Sequence, residues 1–413
     1  MNLLVLCPHF RPDLAPTGEI MTALVERWAA AGHRLHVVTA LPWYEHHRIE
    51  PGWGGRAIRR ERTPWGRITR VHPFPTDKAN IPARALAFGG FTALAAAAAV
   101  AGAERGGRPD GVLAMSPPLT LGLAGWAAAR RWRAPFVFNI QDVFPDVAVE
   151  LGVLKGARMI HAFHRLERFC YLRADAVTVL SDELAANVEA KLGDRRLVRG
   201  RRRVRVIPNF VDAAAVAPGP KDNAYRAEHG LGDRPVVMYA GNVGMSQSLE
   251  LVLHAAARRP DALFVINGGG AARAGLEAQA QQAGLANVRF VGYQPKERLA
   301  EVLSAADVHV VPLRAGLARA SVPSKLYSVL AAGRPVVASV DPGTEVARTI
   351  ERAGAGLAVA PEDPEAFTAA LARLLDAPDE AERMGKAGRA FVEGWASPAA
   401  VAQAYVELFA ELR

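Results

Sequence analysis

A lysine near the start of an apolar helical run is the residue here best suited to chemistry on an anion. In VPSKLYSVLAAGRPVVAS (residues 322–339), Pro323 and Ser324 suit the start of a helix, and Lys325 then falls in its first turn. A cation there is disfavoured by about 0.3–1 kcal/mol, and a bound phosphate reverses that sign. The plain alternative is a solvated lysine. Small residues also mark three strand-to-helix turns. Gly18 opens the first helix, Gly241, Asn242, Gly244 and Gln247 follow a strand at 236–240, and Gly268 and Gly269 follow the next strand. Such glycines let backbone N–H groups approach an anion, although a glycine at such a turn is also structurally ordinary. A second set lies in NIQDVFPDVAVELG (residues 139–152), where Asp142 and Asp146 follow a strand and Glu150 comes after. Carboxylates at a strand end suit hydroxyl binding or proton transfer. Capping of the next helix is their alternative.

Several chemistries are excluded by what is missing. No GxGxxG follows the first strand, and there is no GxxxxGK[ST]. No DxD pair is present to hold a nucleotide through a divalent metal. His46 and His47 are adjacent, His161 and His164 stand apart from other ligand types, and the two cysteines have no zinc spacing. The expectation is therefore no metal and no cofactor. Two cysteines in 413 residues fit a reducing compartment. The net charge of +9 favours anionic partners without choosing among them.

The elements that position these residues alternate short apolar runs with helical patterns. Strands are predicted at 3–7, 36–39, 111–114, 135–139, 176–180 and 204–207. After a Pro/Gly-rich linker with a short helix at 215–235 they resume at 236–240, 263–266, 288–291, 308–311, 336–338 and 357–359. This is the signature of α/β architecture with two doubly wound, Rossmann-like domains. The expected boundaries are 1–208 and 209–396, with a final helix at 397–413 of the kind that packs back on the first domain. Ligands of such folds bind in the crevice at the strand C-termini. The first ten residues read as a buried strand rather than a signal peptide. Residues 85–103 are uncharged, and read as a buried helix, as one lying shallowly in a leaflet, or as a bilayer span. Seven of the eleven residues at 195–205 are arginine, a solvated basic loop or a contact for anionic headgroups. No aromatic platform accompanies them, so nucleic acid is not expected.

Taken together, the motifs resemble the bacterial GT4 glycosyltransferases. The segments that carry the resemblance are GEIMTALVERWAAAGHRLHVVTA, RADAVTVLSDEL, VRVIPNFVD, YAGNVGMSQSLELVLHAA, NVRFVGYQPKERLAEVLSAADVHVVPL and PSKLYSVLAAGRPVVAS. QDVFPDVAVELGVL is most similar to the branch that builds O-antigen and exopolysaccharide, which includes fucosamine transferases. The resemblance implies a GT-B fold and a metal-independent, retaining transferase of hexosyl or N-acetylhexosaminyl type. It implies a nucleotide-sugar donor, UDP-linked, and a glycan acceptor in surface polysaccharide biosynthesis. The acceptor is expected to be undecaprenyl-linked, with the protein cytoplasmic and peripheral on an anionic membrane surface.

The resemblance also implies residue roles. The donor would meet Gly18, Gly241, Asn242, Gly244, Gln247, Gly268, Gly269, Val291, Tyr293, Pro323, Ser324, Lys325 and Ser328. The acceptor would meet His9, Asp142, Asp146 and Glu150. The family's diphosphate-binding Arg and Lys would fall in the turn after Gly241, where this chain has Asn242, Ser246 and Gln247. The residues themselves therefore point to Lys325 as the donor cation, and catalysis is expected to rest on Lys325 and Asp142. The family's Glu-x7-Glu pair would fall at Ala320 and Ser328, neither of them acidic. Two other classes stay open: a sugar-nucleotide epimerase on the same fold, and a non-catalytic partner subunit of another transferase.

Overall fold

In the computed structural model the chain is described except for residues 14, 77–80, 103–106, 199, 318–322, 324, 395 and 396. It divides into two compact units, Met1–Asn209 with Pro398–Arg413, and Phe210–Ser397.

In the first unit β1 (Asn2–Leu6), α1 (Pro16–Ala30), β2 (Arg34–Ala40), β3 (Ile58–Thr63), β4 (Gly66–Val71), α2 (Ile81–Ala101) and β5 (Gly111–Ser116) come first. There follow α3 (Leu121–Trp132), β6 (Phe136–Ile140), α4 (Asp146–Glu150), α5 (Ala157–Arg173), β7 (Ala176–Val179), α6 (Asp182–Leu192), β8 (Leu197–Val198), β9 (Arg201–Arg202) and β10 (Val204–Val206). Eight strands form one sheet in the order β10-β7-β6-β5-β1-β2-β4-β3. Only the β3–β4 pair in it is antiparallel. The apolar runs are continuous because parallel strands are buried on both faces, and Val5, Leu6, Val37 and Val137 are fully inaccessible.

In the second unit the order is α7 (Ala224–Glu228), β11 (Val236–Ala240), α8 (Glu250–Arg258), β12 (Leu263–Asn267), α9 (Arg273–Gln282), β13 (Val288–Val291), α10 (Leu299–Ser304) and β14 (Val308–Pro312). After these come α11 (Lys325–Ala331), β15 (Val336–Ser339), α12 (Glu345–Ala353), β16 (Gly356–Val359), α13 (Pro364–Asp376) and α14 (Pro378–Gly394). Its sheet is β13-β12-β11-β14-β15-β16, parallel throughout. The strand order reverses between β11 and β14, so the loops leaving these two strands diverge and open a crevice at their C-terminal ends. In the first unit the same reversal falls between β1 and β5.

The last helix, α15 (Pro398–Leu412), docks on the first unit. Trp28 Nε1 donates to the Ala402 carbonyl at 2.9 Å, and the Tyr405 ring meets Trp28 edge-on at 5.9 Å. The Tyr405 hydroxyl joins a buried polar network inside the sheet, accepting from Asn139 Nδ2 at 2.9 Å. Gln141 Nε2 donates to Asn139 Oδ1 at 2.8 Å, and Asn209 Nδ2 to Gln141 Oε1 at 2.8 Å. Every member is hydrogen-bonded, which is what makes such a network tolerable in a core.

Four expectations need correction. The β3–β4 hairpin has no counterpart in the sequence reading, because an edge strand of sequence IRRERT carries no apolar face. The segment 215–235 carries the expected short helix, α7, but is not a free linker: Tyr225 is fully buried, and Arg226 pairs with Asp307 at 2.8 Å. Helix α2 is neither wholly buried nor a bilayer span. It buries Ala87, Phe91, Ala95 and Ala99, a four-residue stripe, while Leu86 is 79% exposed. Among the described residues no helix is long and apolar enough to cross a membrane. Finally, the arginine run is partly internal. Arg203 is buried and reaches the carbonyls of Tyr171 and Leu172 at 3.3 Å, and that of Ala174, at the end of α5. Arg205 and Arg201 pair with Glu411 of α15 at 2.9 and 3.3 Å. The run borders β10, whereas α2 packs over β1, β2 and β4, four or more strands away or about 19 Å. The two segments therefore do not form one contiguous patch.

Candidate active site

The turns at the C-terminal ends of β11 and β12 interlock. Gly241 N–H donates to the Asn267 carbonyl at 2.9 Å, and Gly268 N–H to the Val291 carbonyl at 2.9 Å. Val243 N–H donates to the Gly269 carbonyl at 2.8 Å. Gly268 has φ 147°, and a Cβ on it would lie 1.9 Å from the Gly241 carbonyl oxygen, so no other residue fits. Within the first turn Gln247 Oε1 accepts from Gly244 N–H at 3.0 Å, and a Cβ on Gly244 would lie 2.7 Å from Asn242 Nδ2. Tyr293 donates its hydroxyl to the Gly269 carbonyl at 2.8 Å and keeps 46% of its surface exposed. It is an aromatic face bordering the turn.

Lys325 enters this arrangement from α11. Its ammonium lies 4.0 Å from the centroid of the Tyr239 ring and donates to the Tyr239 hydroxyl. Its Nζ is also 3.5 Å from where a Cβ on Gly241 would stand. Lys325 is half-buried, and loss of hydration pulls its pKa from 10.5 down to about 7. Helix α11 begins at Lys325 itself, with Pro323 half-buried just ahead and Ser328 half-buried one turn on. Ser324 and Ala320 lie outside the described residues. The far end of α11 is held by Arg389, whose NH1 donates to the Ala331 carbonyl at 2.7 Å and to that of Val216 at 2.8 Å. Thus Gly241, Asn242, Gly244, Gln247, Gly268, Gly269, Val291, Tyr293 and Lys325 come together at one sheet edge of one unit.

Three supporting residues escaped the sequence reading. Tyr239 reads as an ordinary core residue of β11. Tyr225 donates its hydroxyl to Asn267 Oδ1 at 2.9 Å, and Arg273 NH1 donates to the carbonyls of Gly268 at 2.6 Å and Val291 at 3.1 Å. Each has a partner elsewhere in the chain: Lys325 for Tyr239, Asn267 for Tyr225 and Val291 for Arg273. The only available signal was Arg273 closing the small-residue run after β12.

In the first unit His9 Nδ1 lies 2.6 Å from Asp13 Oδ2, and its ring stacks on Trp43 at 5.7 Å and meets Tyr44 edge-on at 5.2 Å. Asp13 Oδ1 also accepts the Tyr44 N–H at 2.9 Å. Gly18 is buried in α1, and a Cβ on it would lie 2.9 Å from His9 Cβ. Its glycine is accounted for by close packing on His9, within the first unit. Asp142 is half-buried just beyond β6, and Glu150 is exposed at the end of α4.

Asp146 is held by side chains of α6. Its carboxylate accepts from Asn187 Nδ2 and Lys191 Nζ, both at 2.9 Å. Lys191 also meets the buried Glu167 at 2.6 Å, and the Tyr171 hydroxyl donates to Glu167 at 2.8 Å. Both oxygens of Asp146 are thereby engaged, and with Pro145 at the cap position Asp146 stands inside α4 rather than capping it. Asp146, His164 and Glu167 hold ligand atoms within 4.8 Å of one another, and the Lys191 ammonium supplies the positive charge between the two carboxylates.

The chain matches two family descriptions, Glycosyl transferase 4-like domain over residues 17–210 and Glycosyl transferases group 1 over residues 221–391. It is 30% identical over 390 residues to the putative colanic acid biosynthesis glycosyl transferase WcaI of Escherichia coli, covering 91% of this chain and 92% of that protein. The fold is similar to sucrose-phosphate synthase from Thermosynechococcus elongatus, with TM-score 0.77, 23% identity, and 100% and 99% of the two chains covered. It is similar also to Anabaena HepE in complex with UDP-glucose, with TM-score 0.73, 16% identity and both chains covered in full. Two doubly wound units with a turn-lined crevice define a GT-B protein. The chain belongs to the group 1, GT4-like glycosyltransferases.

Proposed function

We propose that the protein transfers a sugar from a nucleotide diphosphate sugar, UDP-linked, to a glycan acceptor in polysaccharide biosynthesis, with retention of configuration. The observation that carries this reading is the Lys325 ammonium beside the Gly241 turn. It is a cation held where the backbone of β11 ends and a crevice opens. Support for the donor class comes from HepE, whose fold is similar and whose complex holds UDP-glucose. Support for polysaccharide synthesis comes from WcaI, named for colanic acid biosynthesis.

In this reading the base lies against the backbone at Val291 and the ring of Tyr293, and the diphosphate lies on the turns at Gly241 and Gly268. Glycosyl transfer places negative charge on the departing diphosphate. Lys325 and the turn amides are preorganised to meet it, so no metal or other cofactor is required. Asp142 orients the acceptor hydroxyl, with His9 a second acceptor contact, and the attack comes on the face the diphosphate leaves. Ser328 stands where the family's second glutamate would be, so the ribose is held without a carboxylate there. The acceptor is lipid-linked, of the undecaprenyl class. The protein works in the cytoplasm, peripheral on the inner face of the membrane, with the exposed face of α2 toward lipid.

Thermal denaturation with a panel of nucleotide sugars tests the donor. A stabilising ligand raises the midpoint by mass action, and one UDP-sugar is expected to do so where its free sugar does not. A panel with no responder sinks the reading. Flotation with anionic liposomes at low salt tests the membrane. Binding that falls when Leu86 is changed to Glu is expected, and a protein that stays off the liposomes refutes the peripheral location.

A further inference from the structure

The mechanism above needs the ammonium of Lys325 at one place, and its contacts among the described residues come from β11 and the turn after it. The lysine side chain carries four rotatable bonds, and confining it costs rotamer entropy. What confines it comes from another element. Tyr239 is the penultimate residue of β11 and is fully buried, so its ring is fixed by the core. Val243, Leu249, Val252 and Ile266 belong to the same buried cluster. The face of this ring lies 4.0 Å from the ammonium, within the range of a cation–π contact. The hydroxyl accepts from the same ammonium, and donates its own proton to the Asn242 carbonyl at 2.5 Å.

We infer that Tyr239 is a positioning residue, which fixes the Lys325 ammonium over the Gly241 turn and ties that turn to it through the Asn242 carbonyl. The inference rests on the donor-site reading above and deepens it. One rigid strand residue sets both the cation and the adjoining backbone, the two groups that are to meet the diphosphate. Since the hydroxyl proton is already given to Asn242, the oxygen is left to face the ammonium as an acceptor. A phenylalanine here would keep the ring and lose both hydrogen bonds, leaving the cation free to swing. A leucine would remove the ring face as well.

The test is a double-mutant cycle read by UDP affinity at pH 8, using calorimetry on the full chain. Four proteins are compared: wild type, Tyr239→Phe, Lys325→Met, and the pair combined. Tyr239→Phe is expected to weaken UDP about 5- to 10-fold, and its penalty should vanish in the Lys325→Met background, since the residue acts through the lysine. Equal penalties in both backgrounds would mean that Tyr239 only shapes the fold, and would overturn the inference while leaving the donor site standing. If instead Lys325→Met binds UDP as wild type does, the donor-site reading of Lys325 fails, and this inference with it. Tyr239→Leu guards against a misfolded variant. With an unchanged melting temperature in the Lys325→Met background it should show the same vanishing penalty, and a persisting one counts against the role.

Discussion

Replacing Lys325 by alanine is expected to lower turnover by about 10²- to 10³-fold, the loss typical of removing one preorganised group aimed at developing charge. The fold should survive, because α11 is held by its other residues. Leu326, Tyr327, Val329 and Leu330 are buried, and Arg389 holds the carbonyl of Ala331. The stability of the free protein gives an independent check through its pH dependence. The lysine has a pKa of 10.5 before burial and about 7 in the fold. Between these values the unfolded chain binds the extra proton, so wild-type stability rises with pH across that window. Below pH 7 the cost of the buried charge is fully present. Lys325→Ala removes this dependence, so the variant should compare best with wild type near pH 6 and worst near pH 10. Urea denaturation at the two pH values measures it. A flat difference would show that the ammonium is solvated and poorly placed for catalysis.

The second large effect is expected at Gly268. An alanine there must adopt φ 147°, which L side chains rarely do, and its Cβ would stand 1.9 Å from the Gly241 carbonyl oxygen. Strain of this type costs about 1–3 kcal/mol on its own, and a clash with backbone cannot be relieved by a side-chain rotation. The turns after β11 and β12 must separate, taking the Gly241–Asn267 hydrogen bond with them. Gly268→Ala should therefore melt lower by several degrees and lose UDP affinity together. Gly284→Ala has a positive φ of 65° but no atom within 4 Å of the added Cβ. It should lose a little stability and keep the affinity. If both variants bind UDP equally well, the close approach of the two turns is not what shapes the site.

Much of this was legible in the sequence, for identifiable reasons. Buried parallel strands write themselves as unbroken apolar runs, so β1, β11, β12 and β14 could be read directly. The glycines at 241, 244, 268 and 269 were legible because few other features of a strand end demand so small a residue. Lys325 stood out because a cation at the start of a buried helix needs a partner. What escaped were features whose cause lies elsewhere in the chain. The β3–β4 hairpin is polar because it forms an edge. Tyr239 looks like any strand aromatic until the lysine 86 residues away is seen over its ring. Asp146 could not be told from an acceptor-binding carboxylate, because Asn187 and Lys191, which occupy it, approach from α6. The arginine run looked like one surface, but Arg203 turns inward to the carbonyls that end α5.

The central claim is that the crevice at the β11–β14 reversal is a diphosphate site whose cation is Lys325. Calorimetric titration of the wild-type protein with UDP, between pH 7 and pH 9 in buffers of differing ionisation heat, tests it most directly. A diphosphate favours the charged lysine, so binding above pH 7 must draw a proton onto the protein. The account predicts proton uptake at pH 8, and an affinity that falls by about tenfold toward pH 9, both abolished in Lys325→Ala. UDP binding with no proton uptake and the same affinity in the variant would contradict it.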